Sequence, residues 1–158
     1  MKLLQILSIA LVGLLAMQCG DSTTENTTPA PVTQVQADTF PSIPIPKLQD
    51  LWENCDYIDY VFYQLPISMS LDQDNSIKYA LSHISSSGAP KKPECKSIGR
   101  VFYQVKGENQ EEAELYFSEG CTFFVFLENG KPKYGNYMTP TGAQYLNNTF
   151  QSASGNGQ

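Results

Sequence analysis

The chain has 158 residues, with 10 basic against 16 acidic side chains, a single His and a net charge of −6. At 41% apolar, with one Trp, nine Tyr and eight Phe, it has the composition of one globular domain, which excludes wholesale disorder. A lone Arg and a pI near 4.6 leave no basic surface for phosphates, so nucleic acid is excluded as a partner on electrostatics alone.

At the N-terminus, Lys2 is followed by an apolar run from Leu3 to Met17. That run has the length of a signal h-region and falls short of the roughly 20 residues a membrane span needs. It ends in Leu15-Ala16-Met17-Gln18-Cys19-Gly20, with no Ala-x-Ala site nearby. These residues resemble the precursor of a bacterial lipoprotein, in which signal peptidase II cuts before a Cys whose thiol has been diacylated. Gln18 stands where that family usually has Gly or Ala.

The resemblance implies a signal peptide over residues 1–18 and fatty-acyl chains, palmitate among them, on Cys19. Two or three such chains anchor a protein stably where one does not. It also implies a place in the cell envelope, on the periplasmic face or the cell surface, like the small envelope lipoproteins of Gram-negative bacteria. An uncleaved anchor helix, or cleavage by another peptidase without lipid, are the alternatives. Loss of residues 1–18 removes one Lys and no acid, so binding to anionic headgroups by charge is disfavoured.

Residues 19–46 are rich in Thr, Ser, Pro and Gln, with Phe40 the only aromatic. Such a stretch buries too little apolar area to offset chain entropy, which predicts a disordered tether with a reach of about 30 Å. The compact domain is expected over residues 47–150 and a frayed tail over 151–158.

Within the domain, Leu48, Leu51, Trp52, Cys55, Ile58 and Phe62 recur at helical spacing and predict a first helix ending near Leu65-Pro66. Asp72 and Asp74 are candidate N-caps for a second helix, with Ile77, Ala80, Leu81 and Ile84 as its buried stripe and Ser85 to Gly88 as its stop. The period then changes to two. Four strands are expected, about Ile98 to Lys106, Glu111 to Ser118, Cys121 to Glu128 and Lys131 to Met138. Asn129-Gly130 and Glu119-Gly120 supply two-residue turns, and Gly107 to Gln110 closes the first hairpin. Thr139-Pro140 opens a short closing helix. The expected fold class is α+β: two N-terminal helices, a four-stranded antiparallel meander and a short C-terminal helix.

These registers align Phe102, Leu115 and Phe124 on one sheet face. They give a second, tyrosine-richer face holding Val101, Tyr103, Val105, Tyr116, Phe123, Val125, Leu127 and Tyr134. Tyr103, Tyr116 and Tyr134 are the candidate partner surface, since a ring with a polar tip suits interfaces and sugar stacking. Packing in the core or at its edge is the plainer role for the same rings.

Export to an oxidising compartment predicts a disulfide among Cys55, Cys95 and Cys121. Cys95 precedes the first strand and Cys121 opens the third, toward one end of the sheet, which favours that pair; bridges from Cys55 are the alternatives. One His and no close Cys pair give too few ligands for a transition metal, and Gly-x-Ser-x-Gly is absent. His83 is expected on an exposed or half-exposed part of helix two. Glu53, Asp56 and Asp59, three apart on a helix, are the single carboxylate cluster worth weighing for acid–base or cation chemistry, against a plain solvated face. Arg100 is expected to stack opposite Phe117 near Tyr137 and could clamp a carboxylate.

No catalytic, metal or cofactor residue is assigned from the sequence. The expectation is an envelope lipoprotein acting as a noncatalytic binding or assembly module for a protein or glycan. The alternatives are a carboxylate-dependent envelope hydrolase and an inhibitor contacting a secreted hydrolase through Gly107 to Gln110 or Glu119-Gly120.

Overall fold

The computed structural model describes residues 38–155; the leader, Cys19 and most of the expected tether lie outside the described residues. The fold is α+β, with three helices and one seven-stranded antiparallel sheet. Helix α1 spans Ile45–Asn54, followed by strands β1 (Tyr57–Phe62) and β2 (Ser68–Leu71), helix α2 (Asp74–Leu81) and strand β3 (Ile84–Gly88). The meander β4 (Ser97–Val105), β5 (Glu108–Ser118), β6 (Cys121–Glu128) and β7 (Lys131–Met138) leads into α3 (Pro140–Gly155). The strand order is β2-β1-β4-β5-β6-β7-β3, so α2 carries the chain from one edge of the sheet to the other.

The meander and the start of the closing helix agree with the sequence expectation; that helix is longer than expected, running to Gly155 through residues expected as frayed tail, and the region before the meander differs. Helix α1 stops at Asn54 because Cys55 turns extended, at φ −64° and ψ 123°. The residues expected to continue it form β1, in which Ile58, Tyr60 and Phe62 alternate inward. An i, i+4 pair such as Ile58 and Phe62 fits a helix and a strand equally, and the buried Tyr60 between them decides for the strand. Trp52, placed in the buried stripe by sequence, is 47% exposed. The Ser-rich run expected to stop the second helix is β3, paired to β7 through Ile84 with Met138 and Gly88 with Asn136.

All three helices contribute to one core against one sheet face. Leu51 of α1, Ile77, Ala80 and Leu81 of α2 and Leu146 of α3 pack on Ile58, Tyr60, Val101, Tyr103, Leu115, Phe124 and Phe126. Burying each large apolar side chain contributes about 1.5–3 kcal/mol, which makes this face the main source of stability.

The meander's three hairpins each turn on two residues. Lys106-Gly107 (φ 55° and 79°) joins Val105 to Glu108, Glu119-Gly120 joins Ser118 to Cys121, and Asn129-Gly130 (φ 54° and 72°) joins Glu128 to Lys131. The first hairpin is therefore tighter than the four-residue loop expected, and the ladder shifts again between Tyr103 and Gln104. An odd shift of register turns every side chain of a strand over. Phe102 consequently pairs with Glu112, not Leu115, while Val101 and Tyr103 face the helices.

Residues 38–46, expected within the tether, are part of the domain. Phe40 N–H donates to Ala89 O (2.8 Å), Lys91 N–H to Asp38 O (2.7 Å) and Gly135 N–H to Pro41 O (2.9 Å). The fully buried Asn136 accepts from Ile43 N–H at 2.9 Å and donates to Ser85 O at 2.8 Å. The domain thus starts before the expected boundary at Lys47: a short Pro-rich segment buries little by itself but gains its place from the sheet it docks on.

Candidate functional site

The sheet face turned away from the helices is the candidate site. Its residues follow from the registers. One cross-strand row runs Ser68, Val61, Arg100, Glu114, Val125, Gly135; the next runs Ser70, Asp59, Phe102, Glu112, Leu127. A third joins Tyr116, Phe123 and Tyr137. Alternation along each strand puts these side chains opposite the core.

One half of the face is covered. Ala89, Cys95, Cys121, Phe123 and Val125 form a small second cluster, with Phe40 and Tyr116 packed against it. The Cys95–Cys121 disulfide, with Cα atoms 5.8 Å apart, ties the loop before β4 to the start of β6. Cys55 is the free cysteine among the described residues. Its half-buried thiol donates to Tyr57 O at 3.4 Å, and burial pushes its pKa up, so it is a poor nucleophile.

Between these pieces lies a groove of about 220 Å³ lined by Phe40, Pro90, Lys91, Lys92, Tyr116, Phe123 and Val125. Its floor is aromatic, Tyr116 stacking on Phe123 at 4.7 Å between centroids. Its rim is cationic: Lys91 lies over the Phe40 ring at 5.6 Å and pairs with Asp38 at 2.8 Å, and Lys92 Nζ donates to Gly120 O at 3.0 Å.

The other half is open and charged. Arg100 stands opposite Glu114, not Phe117, and its guanidinium bridges Glu114 and Glu112. Tyr63, 53% exposed, donates from its hydroxyl to Glu114 at 3.0 Å. Burial works against ionisation of Glu114, but hydrogen bonds from Ser97, Arg100 and Tyr63 outweigh it and lower its pKa. The hydrogen bond to Glu114 holds Arg100 more firmly charged than a free guanidinium. The clamp foreseen for a ligand carboxylate is thus occupied by the protein's own glutamates.

The three candidate tyrosines do not form one surface. Tyr116 lies on the open side and lines the groove. Tyr103 is fully buried on the helix side, stacked on Phe126 at 6.0 Å, and its hydroxyl finds no hydrogen-bond partner among the described residues. Tyr134 is half-buried, pairs with Phe126 and packs on the same core, with Lys133 over its ring at 5.8 Å. Tyr63, expected within the first helix, takes their place. Its signal was the alternation in Tyr57 to Phe62 just before it.

The carboxylate cluster is dispersed. Glu53, on α1, accepts from Gln49 at 2.9 Å. Asp56 lies in the connector and accepts from the Lys106 N–H at 2.7 Å; Asp59, on β1, accepts from Ser70 at 2.7 Å. No three-residue group of His, Cys, Asp and Glu among the described residues is placed to hold a metal ion. His83 is 2% exposed, not half-exposed, and sits between Tyr79 at 4.7 Å and Tyr145 at 5.2 Å; burial lowers its pKa.

No protein-family model matches the chain, and the comparisons with curated proteins and with solved structures give no match.

Proposed function

We propose that this chain is a lipid-anchored envelope protein whose domain is a noncatalytic binding module, presenting the helix-free face of its sheet to a protein or glycan partner. The observation that carries the proposal is the one-sided distribution of the helices. It leaves Tyr63, Val61 and Tyr137 exposed on the other face, beside a groove with an aromatic floor and a lysine rim. Rings with polar tips on a rigid sheet lose little entropy on contact, which suits such a surface.

A disulfide between Cys95 and Cys121 is in keeping with an exported protein. The leader and Cys19 supply the anchor in this proposal. The dispersal of Glu53, Asp56 and Asp59 and the tight Lys106-Gly107 turn support this reading over a carboxylate-dependent hydrolase or a loop-borne inhibitor.

Two experiments on the full chain in cells test the two halves. Labelling with an alkyne analogue of palmitate tags the wild type and fails on Cys19→Ala; equal labelling of both sinks the anchor. A photo-crosslinking amino acid at Tyr63 gives a discrete adduct with an envelope component, whereas one at Trp52 on the helix side does not. The reverse pattern sinks the binding face.

A further inference from the structure

The two edges of the sheet are finished differently. At the β3 edge the chain covers itself: residues 38–42 bond to Ala89, Lys91 and Gly135, and Ser42 Oγ donates to Ser86 O at 3.0 Å. At the β2 edge no backbone bond to a further strand exists among the described residues. The segment from Ile67 to Leu71 has no charge, no Pro and no bulge against β1; of the devices that usually block strand addition, the four-residue β2 carries only its shortness.

The ladder fixes which groups are free. Tyr63 N–H donates to Ile98 O, in register with the β1–β4 pairing, so odd-numbered residues of β1 bond to β4 and even-numbered ones to β2. Tyr60 and Ile58 therefore bond to Met69 and Leu71, and the backbone N–H and C=O of Ser68 and Ser70 point outward.

We infer that this edge pairs antiparallel with a second copy of the chain, about a two-fold axis at Met69. That register sets Ser68 against Ser70 of the other copy, making four backbone hydrogen bonds, and Leu71 against Ile67. Asp72 then meets Pro66, so no like charges oppose each other across the seam. This self-complementarity selects a second copy: on a chain of net charge −6 the seam is neutral, and a two-fold interface must match itself. The pair joins two sheets edge to edge with both open faces on one side.

The test is disulfide trapping in native membranes with the full chain, carrying Met69→Cys in a Cys55→Ala background. Antiparallel residues between bonded pairs have Cα atoms about 4.5 Å apart, within disulfide reach. A two-chain band is expected on a nonreducing gel. Adding Ser68→Pro, which removes an outward N–H and no bond to β1, abolishes the band, as does Ser70→Lys. Tyr137→Ser, on β7, leaves it intact. Protease resistance and the Cys95–Cys121 bridge report that each variant is folded. A folded Met69→Cys chain that stays single, a band that survives both seam variants, or a band joining a different protein overturns the inference.

Discussion

The Phe40 ring lies directly on Gly135, so a Cβ added to that glycine would stand 2.8 Å from Phe40 Cβ and 2.9 Å from its ring. This contact roofs the groove and holds residues 38–41 on the sheet. Gly135→Val should therefore displace residues 38–41 and destabilise the domain by about 1–3 kcal/mol, the usual range for overpacking. Denaturant titration measures the loss, and limited proteolysis should show new cleavage near residue 40. Phe40→Ala should open the same site to protease with Gly135 intact.

The disulfide closes a separation of 26 residues, for which a stabilisation of about 2–4 kcal/mol is expected. Cys95→Ser should remove it and abolish the response of the wild type to reductant in a denaturation series. Cys55→Ala should cost about 1 kcal/mol or less, since that thiol is half-buried and makes one weak bond. Peptide mapping without reductant should recover Cys95 joined to Cys121.

Tyr103 carries a buried hydroxyl without a partner among the described residues. Tyr103→Phe removes an uncompensated polar group and leaves no cavity, so stability should hold or rise by about 1 kcal/mol. Crosslinking through Tyr63 should be unchanged in this variant. A loss of crosslinking with the fold intact would mean that Tyr103 reaches the partner.

Burial lowers the pKa of His83 below the ordinary 6.5, its ring lying between those of Tyr79 and Tyr145. Between its folded and unfolded values the unfolded chain binds the extra proton. This contribution to stability is therefore full above pH 6.5 and is lost as pH falls, by at most about 1.4 kcal/mol per pH unit. Denaturation midpoints from pH 7.5 down to about 5 should show that slope in the wild type, and His83→Gln should flatten it.

The parts of the fold legible in the sequence are those set by local chemistry. Asn129-Gly130 accepts positive φ at both positions, and the four strands around such turns lie close to where alternation puts them. Cys95 and Cys121 could be paired because strand order alone brings them to one end of the sheet. Most of what failed depended on non-local pairing, and one turn on a residue whose chemistry does not mark it. Strand β1 shares its apolar spacing with a helix, and β3 is an edge strand of serines that exists because β7 offers it a ladder. Lys106 adopts a positive φ that its side chain does not advertise. That tighter turn, with the bulge beyond it, turned β4 over and carried Tyr103 from the expected surface into the core. Of the candidate partner residues, Tyr116 alone stayed on the open face, because β5 and β6 kept their expected register.

The most direct measurement of the proposed binding face is hydroxyl-radical footprinting of the full chain, in the native envelope and after purification. The account predicts that Tyr63, Tyr116 and Tyr137 lose reactivity in the envelope, while Tyr79, 47% exposed on the helix side, reacts equally in both. Protection of Tyr79 with the three others unchanged would contradict it.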